Sequence, residues 1–154
     1  MPTAKDLALR ALQPTTKVLR DVTGRFPLDR WRESPGGQAN SLFGVLDHLV
    51  WCEDWWLANI GAEERFSETA RRERVAACAS AEEMLELVWS GRRLLMRTLR
   101  KQPDTFWENP VPTSHYGNRF QSGAELCCYM AEHDFWHAGQ IEMLRMALTG
   151  RPAR

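Results

Sequence analysis

Two histidines, His133 and His137, lie four residues apart near the C-terminal end of the chain. In an α-helix this spacing places both imidazoles one turn apart on the same face. A third, His48, lies on the flank of the apolar face of an upstream helical segment. Inward-facing imidazoles need polar partners, because an unsatisfied buried polar group costs about 1–3 kcal/mol. The face that carries His133 and His137 also carries four apolar residues, Leu126, Met130, Ile141 and Leu144.

Two interpretations of the three histidines follow from their placement. They are either core residues that hydrogen-bond to carbonyls or carboxylates, or ligands of one metal ion. The second interpretation requires the two helices to run antiparallel, so that the three rings fall at similar levels. Three imidazoles that leave open positions are typical of a catalytic metal site. The residues alone leave both interpretations open.

The segment from His133 to His137 reads H-D-x-x-H, which is close to the H-E-x-x-H helix of zinc metalloproteases. The aspartate is one methylene shorter than the glutamate that serves as general base there. No histidine follows His137, and Glu142 is the only carboxylate downstream. The pattern therefore disfavours a protease, and a third ligand must come from upstream.

Helical periodicity predicts four helices that must position these residues, at about 3–22, 40–60, 80–101 and 122–149. No segment has a convincing strand pattern. Capping boxes open the last two, at Ser80 with Glu83 and at Ser122 with Glu125, and Pro14 is expected to kink the first. The links exceed the ~2–8 residues usual between antiparallel helices. The sequence therefore predicts an all-α four-helix bundle with long crossover connections.

The composition limits the classes of function. A chain of 154 residues predicts one domain over residues 1–154. Twenty basic and twenty acidic residues give zero net charge, which argues against nucleic-acid and anionic-membrane partners. No apolar run approaches the ~18 residues of a membrane span. The four cysteines form no CxxC pattern, so we expect no disulfide framework and a cytoplasmic location.

The segment that begins at His48 and ends at Glu53, together with the string H-x-x-x-H-x-G-Q-I that begins at His133, resembles the DinB/YfiT-like superfamily over nearly the whole chain. The resemblance implies an up-down-down-up four-helix bundle. It also implies a divalent ion (nickel, zinc, iron or manganese) bound by His48, His133 and His137. Characterised members include thiol S-transferases that use bacillithiol or mycothiol and a mycothiol-dependent isomerase, whereas many others have no assigned activity.

Two hypotheses about function remain at this point. In the first, the chain is an enzyme whose metal activates water or a low-molecular-weight thiol against a small organic substrate, as a hydrolase or thiol S-transferase. In the second, it is a non-catalytic metal- or ligand-binding bundle with a role in the stress response. An open three-histidine shell favours the first, and the absence of a clearly placed general base favours the second.

Five further polar residues have competing interpretations. Glu53 is expected to form a salt bridge with an arginine of another helix, rather than to orient a ligand or act as base. Asp134 is predicted to be a solvated charge, and His115 an exposed loop residue rather than a substrate contact. Gln140 is expected either to contact a metal-bound water or to hydrogen-bond in the core. Cys52 shares the histidine face and is predicted to be a small core residue.

Trp51, Trp55 and Trp56 could together line a pocket. Core packing is the favoured interpretation for Trp56, whereas helical geometry turns Trp51 away from the core face. The tryptophans therefore predict an aromatic lining only in part.

The last helix has a second apolar side that points away from the histidines. A helix that is apolar on two sides is buried on two sides. We therefore expect a homodimer that uses this second side, formed by Cys128, Ala131, Phe135 and Met146.

Overall fold

The computed structural model of the chain describes residues 1–37, 40–60, 67–112 and 119–150. Within these ranges the fold is all-α, as the periodicity predicts. Its helices are α1 (Ala4–Gly24), α2 (Leu42–Asn59), α3 (Glu68–Ala77), α4 (Ala81–Lys101), α5 (Asp104–Glu108) and α6 (Gly123–Thr149), with a 3₁₀ turn at Leu28–Arg30. A two-residue strand β1 (Val111–Pro112) pairs antiparallel with β2 (Arg119–Phe120), which the sequence did not predict.

Serine caps begin two of the long helices where the sequence predicts. The Ser80 hydroxyl accepts the Glu83 N–H at 3.2 Å, and the Ser122 hydroxyl accepts the Glu125 N–H at 3.1 Å. Each glutamate then accepts the N–H of the residue before the cap rather than that of the cap itself. The serine half of each predicted capping box is therefore confirmed. The first helix runs through Pro14 without interruption.

The short helices α3 and α5 occupy links in which no helix is predicted. In α3 only Arg71 and Val75 are buried, so the segment has no apolar stripe that periodicity could detect. Arg71 makes ion pairs with Glu68 on its own helix and with Asp47 on α2. Charge pairing rather than a broad apolar face therefore anchors this helix.

Helix α1 packs along α6, and α2 packs along α4. The apolar core consists of two clusters. The first includes Leu19, Leu46, Val88 and Ile141, and the second includes Leu12, Trp56, Leu95 and Met130. Along α1 and α6 the chain passes from the second cluster to the first, and along α2 and α4 from the first to the second.

On each long helix a buried polar residue lies at or next to the boundary between the two clusters. We call these four residues the polar layer: Thr15 on α1, Glu53 on α2, Arg92 on α4 and Asp134 on α6. Each is at most 3% exposed. The burial of Asp134 contradicts its predicted role as a solvated charge.

The predicted dimer face of α6 is only partly exposed. Phe135 is 51% exposed and Met146 is 36% exposed, and Cys128 is also exposed. Ala131, in contrast, is buried within the chain. In the described ranges, no helix is both long and apolar enough to cross a membrane.

Candidate metal centre

The three predicted histidines meet between α2 and α6. His133 Nε2 lies 3.3 Å from His48 Nε2 and 3.0 Å from His137 Nε2. One nitrogen from each ring lies within 4.8 Å of the other two, so the three could hold one metal ion. The spacing of four residues on α6 and the position of His48 on α2 thus produce the convergence that the sequence predicts.

Burial keeps the three imidazoles neutral. Burial, together with the neighbouring His137 and His48 rings, lowers the pKa of His133 to about 3. Burial likewise lowers the pKa of His137 to about 4 and shifts that of His48 in the same direction. A neutral imidazole is the form that binds a metal ion. The pocket therefore favours the ligating state of all three rings at neutral pH.

The Nδ1 atoms of the two α6 histidines point away from the cluster and differ in their partners. His137 Nδ1 lies 2.8 Å from Gln140 Oε1, which can only accept, so we assign the proton of this ring to Nδ1. That tautomer directs the Nε2 lone pair at the other two histidines. Of the two alternatives for Gln140, hydrogen bonding within the core is therefore the one observed. The Nδ1 atom of His133 is buried and has no hydrogen-bond partner within the described residues.

Cys52 lies one turn after His48 on α2 and contacts the same cluster. Its Sγ is 3.4 Å from His48 Nε2 and 3.6 Å from His133 Nε2. Burial raises the pKa of this thiol, and the nearby carboxyl groups of Glu53 and Asp134 raise it further. The prediction of a small buried residue is confirmed, but the thiol also belongs to the site.

A pocket of about 460 Å³ opens onto the histidine cluster. Aromatic side chains and two of the three cluster histidines form most of its lining, which consists of His48, Trp51, Cys52, Trp55, Trp56, Tyr129, Glu132, His133 and Trp136. All three predicted tryptophans line it. The prediction that Trp51 faces away from the core is wrong. Its ring stacks on both His48 and Trp55, with 6.0 Å between ring centroids in each case.

The polar layer lies directly behind this site and is held together by Arg92. Arg92 makes a bidentate interaction with Asp134, at 2.6 and 2.8 Å, and donates through Nε to Glu53 Oε1 at 2.6 Å. It also donates to Thr16 Oγ1 at 3.1 Å, and its Nη2 pairs with Glu53 Oε1. The expectation that Glu53 pairs with an arginine of another helix is confirmed. Asp134 is buried because this guanidinium and the Thr15 hydroxyl satisfy its carboxylate.

Two carboxyl groups, those of Glu53 and Asp134, share the Arg92 guanidinium in the polar layer. Burial raises the pKa of Glu53 to about 7, even though the charge of Arg92 acts in the opposite direction. Glu53 Oε2 is buried without a hydrogen-bond partner within the described residues. Burial alone would lower the pKa of Arg92, but the attraction of Glu53 and the bonds to Asp134 raise it above its ordinary value. Arg92 therefore stays charged.

Sequence reasoning missed four residues of this region: Arg92, Tyr129, Glu132 and Trp136. A signal for Arg92 was present, because it lies four residues after Val88 and three before Leu95 on the apolar stripe of α4. Tyr129 and Trp136 lie four residues before His133 and one before His137, so they flank the histidines on α6. His115 lies outside the described residues.

Comparison with known proteins gives one clear finding. The model of the DinB family matches residues 1–152, which is nearly the whole chain. No curated protein matches the chain.

Proposed function

The chain therefore belongs to the DinB family, and from that premise we propose that it is a metal-dependent enzyme acting on a small organic substrate. In this proposal His48, His133 and His137 bind one divalent ion (zinc, nickel, iron or manganese). The reaction is either hydrolysis or the transfer of a low-molecular-weight thiol. One observation carries the proposal: three neutral imidazoles converge through Nε2 at the wall of an aromatic pocket.

The donor set fits a divalent metal. Imidazole nitrogens suit zinc, copper, iron and nickel. Bound here, the ion would supply a Lewis acid that lowers the pKa of a water or thiol nucleophile. Gln140 holds the His137 ring in the orientation that the ion needs. Burial of the cluster keeps competing protons off the nitrogens.

The pocket residues would select and orient the substrate. Its walls carry four tryptophans and a tyrosine, which offer flat apolar surfaces to a small organic molecule. Glu132 is the only carboxylate among the described lining residues. We assign it the role of proton acceptor, because Glu53 is engaged with Arg92 behind the site.

Metal analysis of protein purified without a histidine tag tests the metal assignment. We expect near-stoichiometric metal in the wild type and its loss in His133→Ala. Met143→Ala, a truncation of a 70% exposed side chain on the same helix, is the matched control and should retain the metal. Absence of metal from both wild type and control would refute the proposal.

A conjugation screen with bacillithiol, mycothiol and glutathione, run beside a panel of ester and amide substrates, separates the two reactions. Metal-dependent thiol consumption that is lost in His133→Ala would identify a transferase. Metal-dependent hydrolysis without thiol would identify a hydrolase. We expect the wild type to show one of these two activities, and Met143→Ala to retain the wild-type rate of that activity.

A second candidate is a non-catalytic metal- or ligand-binding bundle with a role in the stress response. The pairing of Glu53 with Arg92 favours it, because that pairing engages a carboxylate that could otherwise have acted as general base. Metal bound at full occupancy, with no turnover in either screen, would support this candidate over the enzyme.

For the architecture, we propose a single domain in which the four long helices form an up-down-down-up bundle. The order of the two apolar clusters along each helix supports this arrangement, because α1 and α6 share one order whereas α2 and α4 share the opposite one. We also propose a cytoplasmic homodimer that buries Phe135 and Met146. Sedimentation velocity at micromolar concentration should show a dimer, and a monomer alone would exclude it.

A further inference from the structure

Helix α2 presents a row of three nearly parallel rings to the pocket. His48, Trp51 and Trp55 follow one another at intervals of three and four residues, so they share one helix face. The Trp51 ring is stacked with each of the other two, at an interplanar angle of 11° and 6.0 Å between centroids in both cases. Because one of the metal-binding histidines belongs to this row, a molecule that packs along the row lies beside the metal centre.

Helix α6 adds two further rings to the lining of the pocket. Tyr129 and Trp136 are about two helical turns apart and flank His133 along the chain. Tyr129 is 40% exposed and Trp136 is 61% exposed. Tryptophan is highly buried on average, so exposed rings that line a pocket indicate a surface that a ligand covers. We call the pocket-lining rings of Trp51, Trp55, Tyr129 and Trp136 the aromatic wall.

Contacts between rings distinguish an aromatic ligand from a saturated one of the same size. Aromatic pairs prefer offset-stacked or edge-to-face arrangements with centroids ~4.5–7 Å apart, and these contacts are worth more than the apolar area that they bury. The aromatic wall already contains both arrangements. Trp51 and Trp55 are nearly parallel, whereas Trp136 meets His137 at an interplanar angle of 66° with 4.8 Å between centroids. The wall therefore offers a further ring partners of both kinds.

We propose that the substrate of this site is an aryl compound, whose ring packs against the aromatic wall while its reacting group faces the histidines. The inference rests on the proposed function, because it names the class of substrate for the same pocket. For a hydrolase, this class comprises esters and amides that carry an aryl or benzyl group. For a thiol transferase, it comprises electrophiles that carry the same groups.

A matched pair of alcohols tests the inference without any need for turnover. Benzyl alcohol and cyclohexylmethanol have the same carbon skeleton and hydroxyl group, but the saturated ring has the larger apolar surface. Hydrophobic burial alone therefore favours cyclohexylmethanol. Calorimetry on the wild type incubated with zinc should instead show that benzyl alcohol binds about 2–10-fold more tightly. Equal affinities, tighter binding of cyclohexylmethanol or no binding of either alcohol would overturn the inference.

Variants show whether the aromatic wall causes this preference. Trp51→Leu and Trp136→Leu keep an apolar side chain but remove the ring, so both should lose most of the preference for benzyl alcohol. Trp89→Leu is the matched control, because this ring lies on α4 outside the pocket lining and contacts Arg20. It should keep the wild-type ratio of affinities. If Trp51→Leu does not fold, Trp136→Leu decides, since it replaces a side chain that is mostly exposed.

The ratio of the two affinities also separates a specific role from a structural one. A general loss of stability or of metal weakens the binding of both alcohols, so a merely structural role of these tryptophans would leave the ratio unchanged. An unchanged ratio in both variants would contradict the inference. Stoichiometric zinc without any preference for the aromatic ring would leave the proposed function intact. A preference for benzyl alcohol in a wild type that binds no metal would refute the proposed function alone.

Discussion

Helices α2 and α6 contribute to both the histidine cluster and the polar layer, yet the two groups differ in how their polar atoms are satisfied. Helix α2 supplies His48 to the cluster and Glu53 to the layer, and α6 supplies His133 to the cluster and Asp134 to the layer. In the layer, Arg92 donates to two carboxyl groups and a hydroxyl. In the cluster, the Nε2 atoms of three imidazoles face one another.

This difference distinguishes a structural cluster from a candidate binding site. The charge of Arg92 holds the layer together from within, and among the layer's side-chain polar atoms in the described residues only Glu53 Oε2 lacks a hydrogen-bond partner. Three convergent imidazole nitrogens cannot satisfy one another in the same way, because each neutral ring offers one donor and one acceptor. A cation is the partner that accepts all three lone pairs at once. Buried polar groups therefore indicate function when their partners are incomplete, not merely because they are buried.

The largest expected effect is the loss of stability that follows when the polar layer loses its arginine. Arg92→Met should lower the free energy of unfolding of the metal-free protein by about 3–5 kcal/mol, because it leaves two buried carboxyl groups without their counter-charge. Urea unfolding in the presence of a chelator measures this loss. Arg93→Met removes a neighbouring exposed arginine paired with Glu86 and should cost less than about 1 kcal/mol. Equal effects of the two variants would contradict the structural role of Arg92.

The next effect concerns the histidine cluster alone. Gln140→Leu should weaken zinc binding by about 10–100-fold, because His137 loses the acceptor that fixes its tautomer. Gln140→Glu keeps an acceptor and should retain most of the affinity. Chelator competition measures both. Unchanged affinity in Gln140→Leu would show that Gln140 does not orient His137.

A change of pH is expected to have a smaller net effect on the free energy of unfolding, because the contributions of the histidine cluster and of the polar layer change in opposite directions in the metal-free protein. Folding keeps His133 and His137 neutral down to pH about 3 and about 4, whereas the unfolded chain binds these protons below its ordinary pKa of 6.5. Their contribution to stability is therefore lost as pH falls below about 6.5. Folded Glu53 holds its proton up to pH about 7 against an ordinary pKa of 4.5, so its contribution is lost as pH rises between these values.

Two variants separate these opposing contributions. Glu53→Gln should make stability rise more steeply from pH 4.5 to 7, because it removes the group that opposes the rise. His137→Gln should flatten the same profile. Urea midpoints across this pH range measure both, and profiles parallel to that of the wild type would contradict the assignment.

The smallest effects are expected at two glycines, one beside each region. A Cβ on Gly91 would lie 3.1 Å from Glu53 Cβ, and Arg92 prevents Glu53 from moving away. Gly91→Ala should therefore lower the free energy of unfolding by about 1 kcal/mol, the net of overpacking and improved helix propensity. Gly139→Ala meets no atom within 4 Å and should instead raise it by about 0.5–1 kcal/mol. Thermal or urea unfolding distinguishes the two variants. A Gly91→Ala variant more stable than the wild type would show that the contact between the new Cβ and Glu53 can relax.

Prediction from the sequence succeeded where spacing along one helix decides the outcome. The two α6 histidines share a face because helical geometry alone places them there, and the serine caps of α4 and α6 act locally. Prediction failed where a partner comes from another helix. The prediction that Asp134 is a solvated charge is wrong, because nothing near Asp134 in the sequence reveals its partner Arg92, 42 residues away. Helix α3 was missed because its anchor is an ion pair to Asp47 rather than an apolar stripe.

By itself, the sequence determined that the chain is helical, which helices carry the histidines, and which family it belongs to. These follow from residue type and from spacing within a few turns, where geometry is fixed by the backbone. Only the tertiary structure decided that His48 reaches the α6 pair, that the Cys52 sulfur contacts two of the rings, and that Arg92 joins Glu53 to Asp134. Such contacts depend on how separate helices pack, which one-helix periodicity does not specify.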